Sequence, residues 1–348
     1  MREPVFHLAL LGFELVLLVA AARKPGVWAM LGVLAASAVS AVIGAVAIGE
    51  DEFGIMRFGA LALFMHGPFL LLLGGILLRR RRVVAAVALL LAFALAAAGY
   101  VARYVEPFRL EVNVVRVKAP GLDRPYKIAV LADFQTDSFG PYERRVAAAL
   151  AAVKADLILL PGDYIQVRGW REELALRESF RSLFTEFPLT APLGAFAVRG
   201  DCEWRSDWPE IFRGLPVKTF EETTTTEVGP FRLTALSYVD SCDVKLVVPK
   251  AADGRFHLVF GHRPDFALGD VRGDLLLAGH THGGQVRLPW FGPPVTLSEV
   301  PRAWSAGRTE LSGGRTLYVS RGIGLERGHA PRIRFLCPPE LVVIELVP

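Results

Sequence analysis

Cysteine is scarce: there are three in 348 residues, at 202, 242 and 337, with no close spacing. That supports neither a disulfide framework nor a cysteine-based zinc site. Net charge of one sign is also low, +4 at pH 7. The excess is clustered, so it gives no reason to expect a nucleic-acid partner. Charge is sparse in the first hundred residues and falls mostly between long apolar runs that follow one another. The first run carries Glu14 and lacks a clear basic leader or cleavage site, which argues against a signal peptide. No internal repeat and few buried charges accompany these runs, so a transporter finds little support.

The apolar runs are Val5–Ala22, Val27–Gly49, Phe58–Leu78 and Val83–Val101. Each is close to the ~20 residues that a helix needs to cross a bilayer core. Residues 1–104 therefore read as a transmembrane region of about four helices, and membrane lipid as a partner. Arg23-Lys24 and Arg79-Arg80-Arg81-Arg82 fall in loops on one side, Glu50-Asp51-Glu52 on the other. Basic loops stay in the cytoplasm. The expectation is a multi-pass inner-membrane protein whose part after Tyr104 lies outside the cytoplasm. Losing one span would reverse it. Glu14, His7 and His66 lie in or near these runs. A direct role is one reading. The plainer one pairs Glu14 and His7 with a neighbouring helix and lets His66 satisfy backbone freed by a kink at Gly67-Pro68.

Charges and turn residues return at Glu106-Pro107. The spacing predicts strands over Leu110–Val117, Lys127–Leu131, Asp156–Leu160 and Ala195–Val198, with helices over Tyr142–Val153 and Arg171–Phe184. The later half predicts strands over Phe231–Val239, Lys245–Val248, His257–Phe260, Asp274–Ala278, Thr316–Val319 and Leu341–Leu346. Pro289–Pro294 and Pro331–Pro339 read as loops. Polar groups stand just past successive strand ends: Asp133, Gln135, Asp163, Asp201, His262, His280 and His282. Open α/β sheets build sites at such edges. The pair in Gly279-His280-Thr281-His282-Gly283 could equally be a polar turn. Joined to three acids and a third imidazole, it offers enough ligands for two divalent ions. Two such ions can activate water and clamp phosphoryl oxygens.

The ordered blocks Asp133-Phe134-Gln135, Gly162-Asp163, Gly200-Asp201-Cys202-Glu203, Gly261-His262 and Gly279-His280-Thr281-His282 resemble the calcineurin-like metallophosphoesterase superfamily. Within it the chain is similar to the membrane-tethered bacterial YkuE/YaeI-type phosphodiesterase branch. Gly283-Gly284-Gln285-Val286-Arg287-Leu288-Pro289, Tyr318–Gly324 and Pro338-Pro339-Glu340 continue that branch's pattern. The resemblance covers residues 108–348 and implies an α/β domain over 105–348, a two-sheet β-sandwich flanked by helices. It implies two divalent cations (Mn, Zn, Fe or Mg). Asp133, Asp163 and His282 would hold one, and Asp201, His262 and His280 the other, with Asp163 bridging. The implied reaction is hydrolysis of a phosphodiester or pyrophosphate, in a lipid-linked substrate under one reading, by metal-bound hydroxide.

Three positions depart from the family pattern. Gln135 stands for a histidine ligand; its uncharged amide oxygen can coordinate, less tightly, and makes that site weaker or oxygen-preferring. Asp137 is a possible substitute, or a plain turn residue before Gly140-Pro141. Asp201 stands for asparagine, which adds charge for a cation and lessens attraction for phosphate. Cys202 stands for the histidine that in many members protonates the leaving group. It is either a catalytic residue with Asp163 and His280 or a buried inert thiol. Arg199, Arg287 and Arg321 are candidates for phosphate oxygens. His329 could reach the site or be a surface-loop residue, and His257 reads as structural. The alternative function is a catalytically degenerate membrane protein that keeps the fold for binding.

Overall fold

The computed structural model describes residues 2–23, 26–47 and 49–348. The backbone divides into two compact units: residues 1–105 with His329–Arg332, and residues 106–328 with 333–348. Lys24, used above to orient the loops, lies outside the described residues.

The first unit is built from α1 (Arg2–Arg23), α2 (Val27–Ala47), α3 (Glu52–Leu61), α4 (Gly67–Leu77) and α5 (Arg82–Tyr100). A π-helical turn, Ala62–His66, joins α3 to α4, so Glu52–Leu77 is one continuous apolar stretch. Four helices among the described residues are long and apolar enough to cross a membrane. The third begins at Glu52, not at Phe58 as its apolar pattern predicts. Asp51 caps it, accepting from the Gly54 amide at 2.7 Å. A carboxylate there satisfies one of the free amides at the helix start, so the helix extends through polar sequence that hydropathy reads as loop.

The second unit holds fourteen strands and three α-helices. The strands are β1 (Glu111–Lys118), β2 (Tyr126–Val130), β3 (Leu157–Leu160), β4 (Ala195–Val198), β5 (Val217–Phe220), β6 (Thr224–Val228) and β7 (Phe231–Ala235). They continue as β8 (Val247–Val248), β9 (Phe256–Phe260), β10 (Asp270–Val271), β11 (Leu275–Ala278), β12 (Gly307–Glu310), β13 (Thr316–Val319) and β14 (Glu340–Val347). The helices are α6 (Pro141–Val153), α7 (Trp170–Glu186) and α8 (Tyr238–Ser241). One sheet runs β1-β14-β2-β3-β4-β5 and the other β12-β13-β11-β9-β7-β6. The strand expected over Phe231–Val239 stops at Ala235. Ser237 then accepts from the Asp240 amide and starts α8, so the chain turns away before Tyr238.

Alternation along each strand builds the layers. Leu275 and Leu277 face inward with Ile128, Leu157, Phe196 and Ile344 of the other sheet. Leu276 and Ala278 face outward onto Phe266 and Val319. On the outer face of the first sheet, Leu131, Ile158 and Ala197 pack against Val146, Leu150, Phe180 and Phe184 of α6 and α7. The result is the expected two-sheet sandwich flanked by helices. β2, β3 and β4 are mutually parallel, as are β9 and β11. Their carboxyl ends deliver the polar residues picked out from the sequence.

Candidate dinuclear metal centre

Asp133 and Gln135 follow β2, Asp163 follows β3, Asp201 follows β4, His262 follows β9, and His280 and His282 follow β11. Five of these seven have left-handed backbone: Asp133 (φ 48°), Gln135 (35°), Asp163 (58°), His280 (69°) and His282 (48°). Non-glycine residues rarely adopt it, and strain of this kind gathers where side chains must be aimed. The packing around them is close. A Cβ on Gly279 would stand 2.7 Å from Asp133 Oδ2, and one on Gly200 would stand 2.3 Å from Asp163 Oδ1.

The side chains gather into two groups. Asp133, Asp163 and His282, all buried, bring ligand atoms within 4.8 Å of one another; beside them Asp201, His262 and His280 also do so, with His262 buried and the other two half-buried. Asp163 links the two, its Oδ2 lying 3.6 Å from His262 Nε2. In the first group Asp133 Oδ2, Gln135 Oε1 and His282 Nε2 are buried without a hydrogen-bond partner. Buried polar atoms are seldom left so. Two carbonyl-type oxygens and an imidazole nitrogen form a donor set that suits a divalent cation.

In the second group the tautomers are fixed from outside. His262 Nδ1 donates to the Pro161 carbonyl at 2.8 Å, and His280 Nε2 donates to the Leu297 carbonyl at 2.8 Å. Their remaining nitrogens face Asp201 Oδ2, at 3.1 Å from His262 Nε2 and 2.7 Å from His280 Nδ1. A lone pair facing a carboxylate needs positive charge between them, either a proton or a metal ion. The residues present therefore fit two cations.

The electrostatics agree. Burial pushes the Asp163 carboxyl well above the usual carboxylate range, with Glu203, Asp133 and Asp201 adding to it against His262. Burial likewise raises Asp133, against His262 and the His280 amide. Burial would lower His262, but Asp163, Asp201 and Asp133 outweigh it and push the imidazole up to about 10. His282 is pushed well below its ordinary value by burial and by the Arg334 charge, so it stays neutral. Burial opposes ionisation of Asp201, yet hydrogen bonds with His262 and His280 hold it well below the carboxylate range.

Several sequence candidates fall elsewhere. Asp137 pairs with Arg327 at 3.2 Å and belongs to neither group. Arg321 is committed to Glu340 at 2.9 Å and Glu111 at 3.0 Å, and Arg287 Nη1 donates to the Gly283 carbonyl. His329 sits in the helical unit, with Nδ1 3.1 Å from Asp51. His257 is structural, as expected, bonded to Thr234 Oγ1 at 2.8 Å. Cys202 is half-buried beside the centre. Lost solvation and the Asp163, Glu203 and Glu326 carboxylates push its thiol up, so it keeps its proton.

Other residues at the centre gave no sequence signal of what they do there, although Glu203 stands in a recognised block. Glu203 accepts from the amides of Asp163 and Tyr164, both at 2.8 Å, and of Gly200 at 3.0 Å, clamping two ligand loops together. Arg263 Nη2 lies 3.0 Å from Asp201 Oδ1, and the Tyr238 hydroxyl donates to the same oxygen. Arg334 is fully buried behind His282, its Nη2 3.3 Å from Nδ1.

Comparison with known proteins gives the family. The family described as calcineurin-like phosphoesterase matches residues 126–284. The Phosphodiesterase YaeI of Escherichia coli is 31% identical over 241 residues, 64% of this chain and 83% of that protein. The chain belongs to the calcineurin-like phosphoesterase family. As a metallophosphoesterase it is a metal-dependent phosphoester hydrolase. The metallophosphoesterase YkuE of Bacillus subtilis is 27% identical over 278 residues, 74% of this chain and 93% of that one. LpxG of Chlamydia muridarum, a UDP-2,3-diacylglucosamine pyrophosphatase, is 23% identical over 283 residues, 63% of this chain and 82% of that one.

Proposed function

We propose that the chain is a membrane-anchored, dinuclear phosphoesterase that cleaves a phosphodiester or pyrophosphate bond in a lipid-linked substrate. The observation that carries this is the pair of ligand groups joined through Asp163, with three buried ligand atoms lacking partners in the first group. Asp133, Gln135, Asp163 and His282 would hold one cation, and Asp163, Asp201, His262 and His280 the other. When bound, such a pair lowers the pKa of water and neutralises charge on phosphoryl oxygens. The chain's own residues orient the site. The Pro161 and Leu297 carbonyls hold His262 and His280 in one tautomer, and Glu203 ties the Asp163 loop to the Asp201 loop. Arg199, stacked 5.1 Å over the Tyr238 ring, and Arg263 put positive charge beside Asp201, where an anionic phosphate would be met. Cys202, protonated in the metal-free protein, lies beside the centre with its sulfur 3.4 Å from the Gln135 amide nitrogen, in place to serve the leaving group.

The lipid-linked reading rests on two supports. Four apolar helices precede the domain, and one relative's name specifies a diacylated nucleotide-sugar pyrophosphate. A bilayer anchor raises the local concentration of a substrate confined to the same membrane. The basic loop Arg79–Arg82 argues for an inner-membrane protein whose phosphoesterase domain lies outside the cytoplasm. A reporter fused at residue 105 tests that orientation.

The decisive assay uses full-length protein in detergent, loaded with Mn or Zn. An aryl phosphodiester and a diacylated nucleotide-sugar pyrophosphate are offered to wild type, Asp163→Ala and His280→Ala. Wild type should turn over at least one substrate and bind two metal equivalents, and both variants should lose activity and metal. Equal background rates in all three would favour a degenerate binding role. Turnover of the aryl diester alone would sink the lipid-linked reading and keep the hydrolase.

A further inference from the structure

Three buried polar residues meet where α1, α2 and the π-helical turn pack together in the first unit. Glu14 is fully buried, Ser37 is 2% exposed and His66 4%. Ser37 is the middle residue of α2, and Glu14 and His66 also lie well inside their apolar stretches. His66 Nδ1 is 2.8 Å from Glu14 Oε2, and the Ser37 hydroxyl donates to Glu14 Oε1. His66 does not serve kinked backbone, the plainer sequence reading. Its other nitrogen, Nε2, lies 3.0 Å from Nδ1 of His7, and the two rings stack at 5.2 Å. His7 is half-buried, two helical turns nearer the start of α1, or about 10 Å along the axis.

We propose that Glu14, His66 and His7 form a proton relay that carries one proton between the interior of the helical unit and the N-terminal end of α1. Two protonation patterns fit the same heavy-atom positions. In one, Glu14 is a carboxylic acid donating to His66 Nδ1, while His66 Nε2–H donates to His7 Nδ1. In the other, Glu14 is a carboxylate accepting from His66 Nδ1–H, and His7 Nδ1–H donates to His66 Nε2. Moving between them breaks the Glu14 O–H bond and forms His66 Nδ1–H. It also breaks His66 Nε2–H and forms His7 Nδ1–H. One proton leaves the carboxyl and one arrives on His7, with no net charge created. Ser37 supports Glu14 in both patterns.

Two observations favour a relay over a plain polar clasp between helices. A clasp needs one histidine, yet both nitrogens of His66 are engaged in a line running along α1. His66 also closes a π-helical turn, an irregularity that re-aims a side chain and often marks a functional position. The described charges on the packed helices stand near helix ends or nearer the start of the third span: Arg23 on α1, Glu52 and Arg57 on α3, and Arg82 on α5. α2 and α4 carry none.

The test is infrared difference spectroscopy of the full chain in lipid nanodiscs, titrated across the carboxyl and imidazole range, about pH 4 to 8. Wild type should show a protonated-carboxyl band that follows pH and is absent in Glu14→Gln. In His7→Gln, which leaves the Glu14–Ser37 and Glu14–His66 contacts in place, the band's response to a pH jump should slow at least tenfold. A band that ignores pH, one that survives Glu14→Gln, or an unchanged response in His7→Gln would each overturn the relay. Circular dichroism shows whether each variant is folded, and Ser37→Ala, expected to shift the band without slowing it, is the second variant.

Discussion

Arg334 is the residue whose removal should be felt most sharply around the centre. It is fully buried, and among the described residues no carboxylate pairs with it. Its guanidinium instead donates to backbone carbonyls: Arg321 at 2.7 Å, Gly324 at 2.7 and 3.1 Å, and Cys337 at 3.1 Å, with longer contacts to Gly322 and His282. One cation thus gathers the loops that carry His282 and Gly322–Gly324. Arg334→Met keeps much of the volume and leaves three short-range acceptors without a donor. At about 1–3 kcal/mol for each buried unsatisfied group, the loss is at least ~3 kcal/mol, partly offset by no longer burying a charge. Arg334→Lys keeps the charge but reaches fewer acceptors, so it should fall between. The readout is Cys337, three residues away, fully buried with its thiol donating to the His282 carbonyl at 3.3 Å. Thiol labelling of the full chain, resolved peptide by peptide, reports how often this region opens. Since each 1.4 kcal/mol is a factor of ten, Cys337 should label about 100-fold faster in Arg334→Met. The half-buried Cys202 and Cys242 serve as internal references. A rate within about threefold of wild type would refute the assignment of Arg334 as the clamp, since three lost acceptors cannot be that cheap.

Metal uptake should release protons. His262 is raised to about 10 by the surrounding aspartates, so below that pH it carries a proton that a cation must displace, and apparent affinity should fall about tenfold per unit as pH drops. Titration calorimetry in two buffers of different ionisation enthalpy measures the release; identical heats would contradict it. The same shift works the other way in metal-free protein. The charged pair stabilises the fold fully below the unfolded imidazole value, about 6.5, and that contribution is lost as pH rises through about 10. Phe180→Ala should cost about 3–5 kcal/mol, because Phe180 is fully buried among Phe134, Tyr164, Phe184 and Phe212. Phe134 and Tyr164 each adjoin ligand residues, so metal content should fall with stability in a melt followed by metal analysis. A change under about 1 kcal/mol would mean that the aromatic cluster does not anchor those loops.

Two kinds of strand show in the sequence, the alternating β1 at a sheet edge and apolar runs buried on both faces. β3, β4 and β11 are four-residue apolar runs inside their sheets, and their bounds are nearly as expected. Besides the two-residue β10, the strands it hides are β5, β6 and β12, each at a sheet edge. Their sequences, Val217–Phe220, Thr224–Val228 and Gly307–Glu310, alternate with Lys, Thr, Arg and Glu. An edge strand has one solvated side and needs no apolar run. The same logic divides the site. Acids and imidazoles just past parallel strands are visible because the strand ends are visible. Arg334 and Arg263 are not, because nothing in a Pro-rich loop or a 3-10 turn says that a cation will be buried there. Glu203 stood in a recognised block, but its work, accepting three amides from two loops, is a fact of folding alone.

The substitutions at Gln135 and Asp201 read differently once their neighbours are known. The Gln135 amide nitrogen faces Glu326 Oε2 at 3.0 Å, Gln166 Oε1 at 3.1 Å and the Cys202 sulfur at 3.4 Å. A carboxylate can only accept, so it fixes which end of the amide is nitrogen. The oxygen is thereby left buried and without a partner, like Asp133 Oδ2 and His282 Nε2. A neutral oxygen in place of a neutral imidazole leaves the charge of that group unchanged and shifts its preference toward harder cations. Asp201 alone would add a negative charge where an anion must dock. Its Oδ1, however, is held by Arg263 at 3.0 Å and by the Tyr238 hydroxyl. The added charge therefore arrives with its counter-charge, and Oδ2 stays turned toward His262 and His280. The second group keeps its oxygen ligand, and a phosphate approaching it meets a guanidinium together with the carboxylate, not a bare carboxylate.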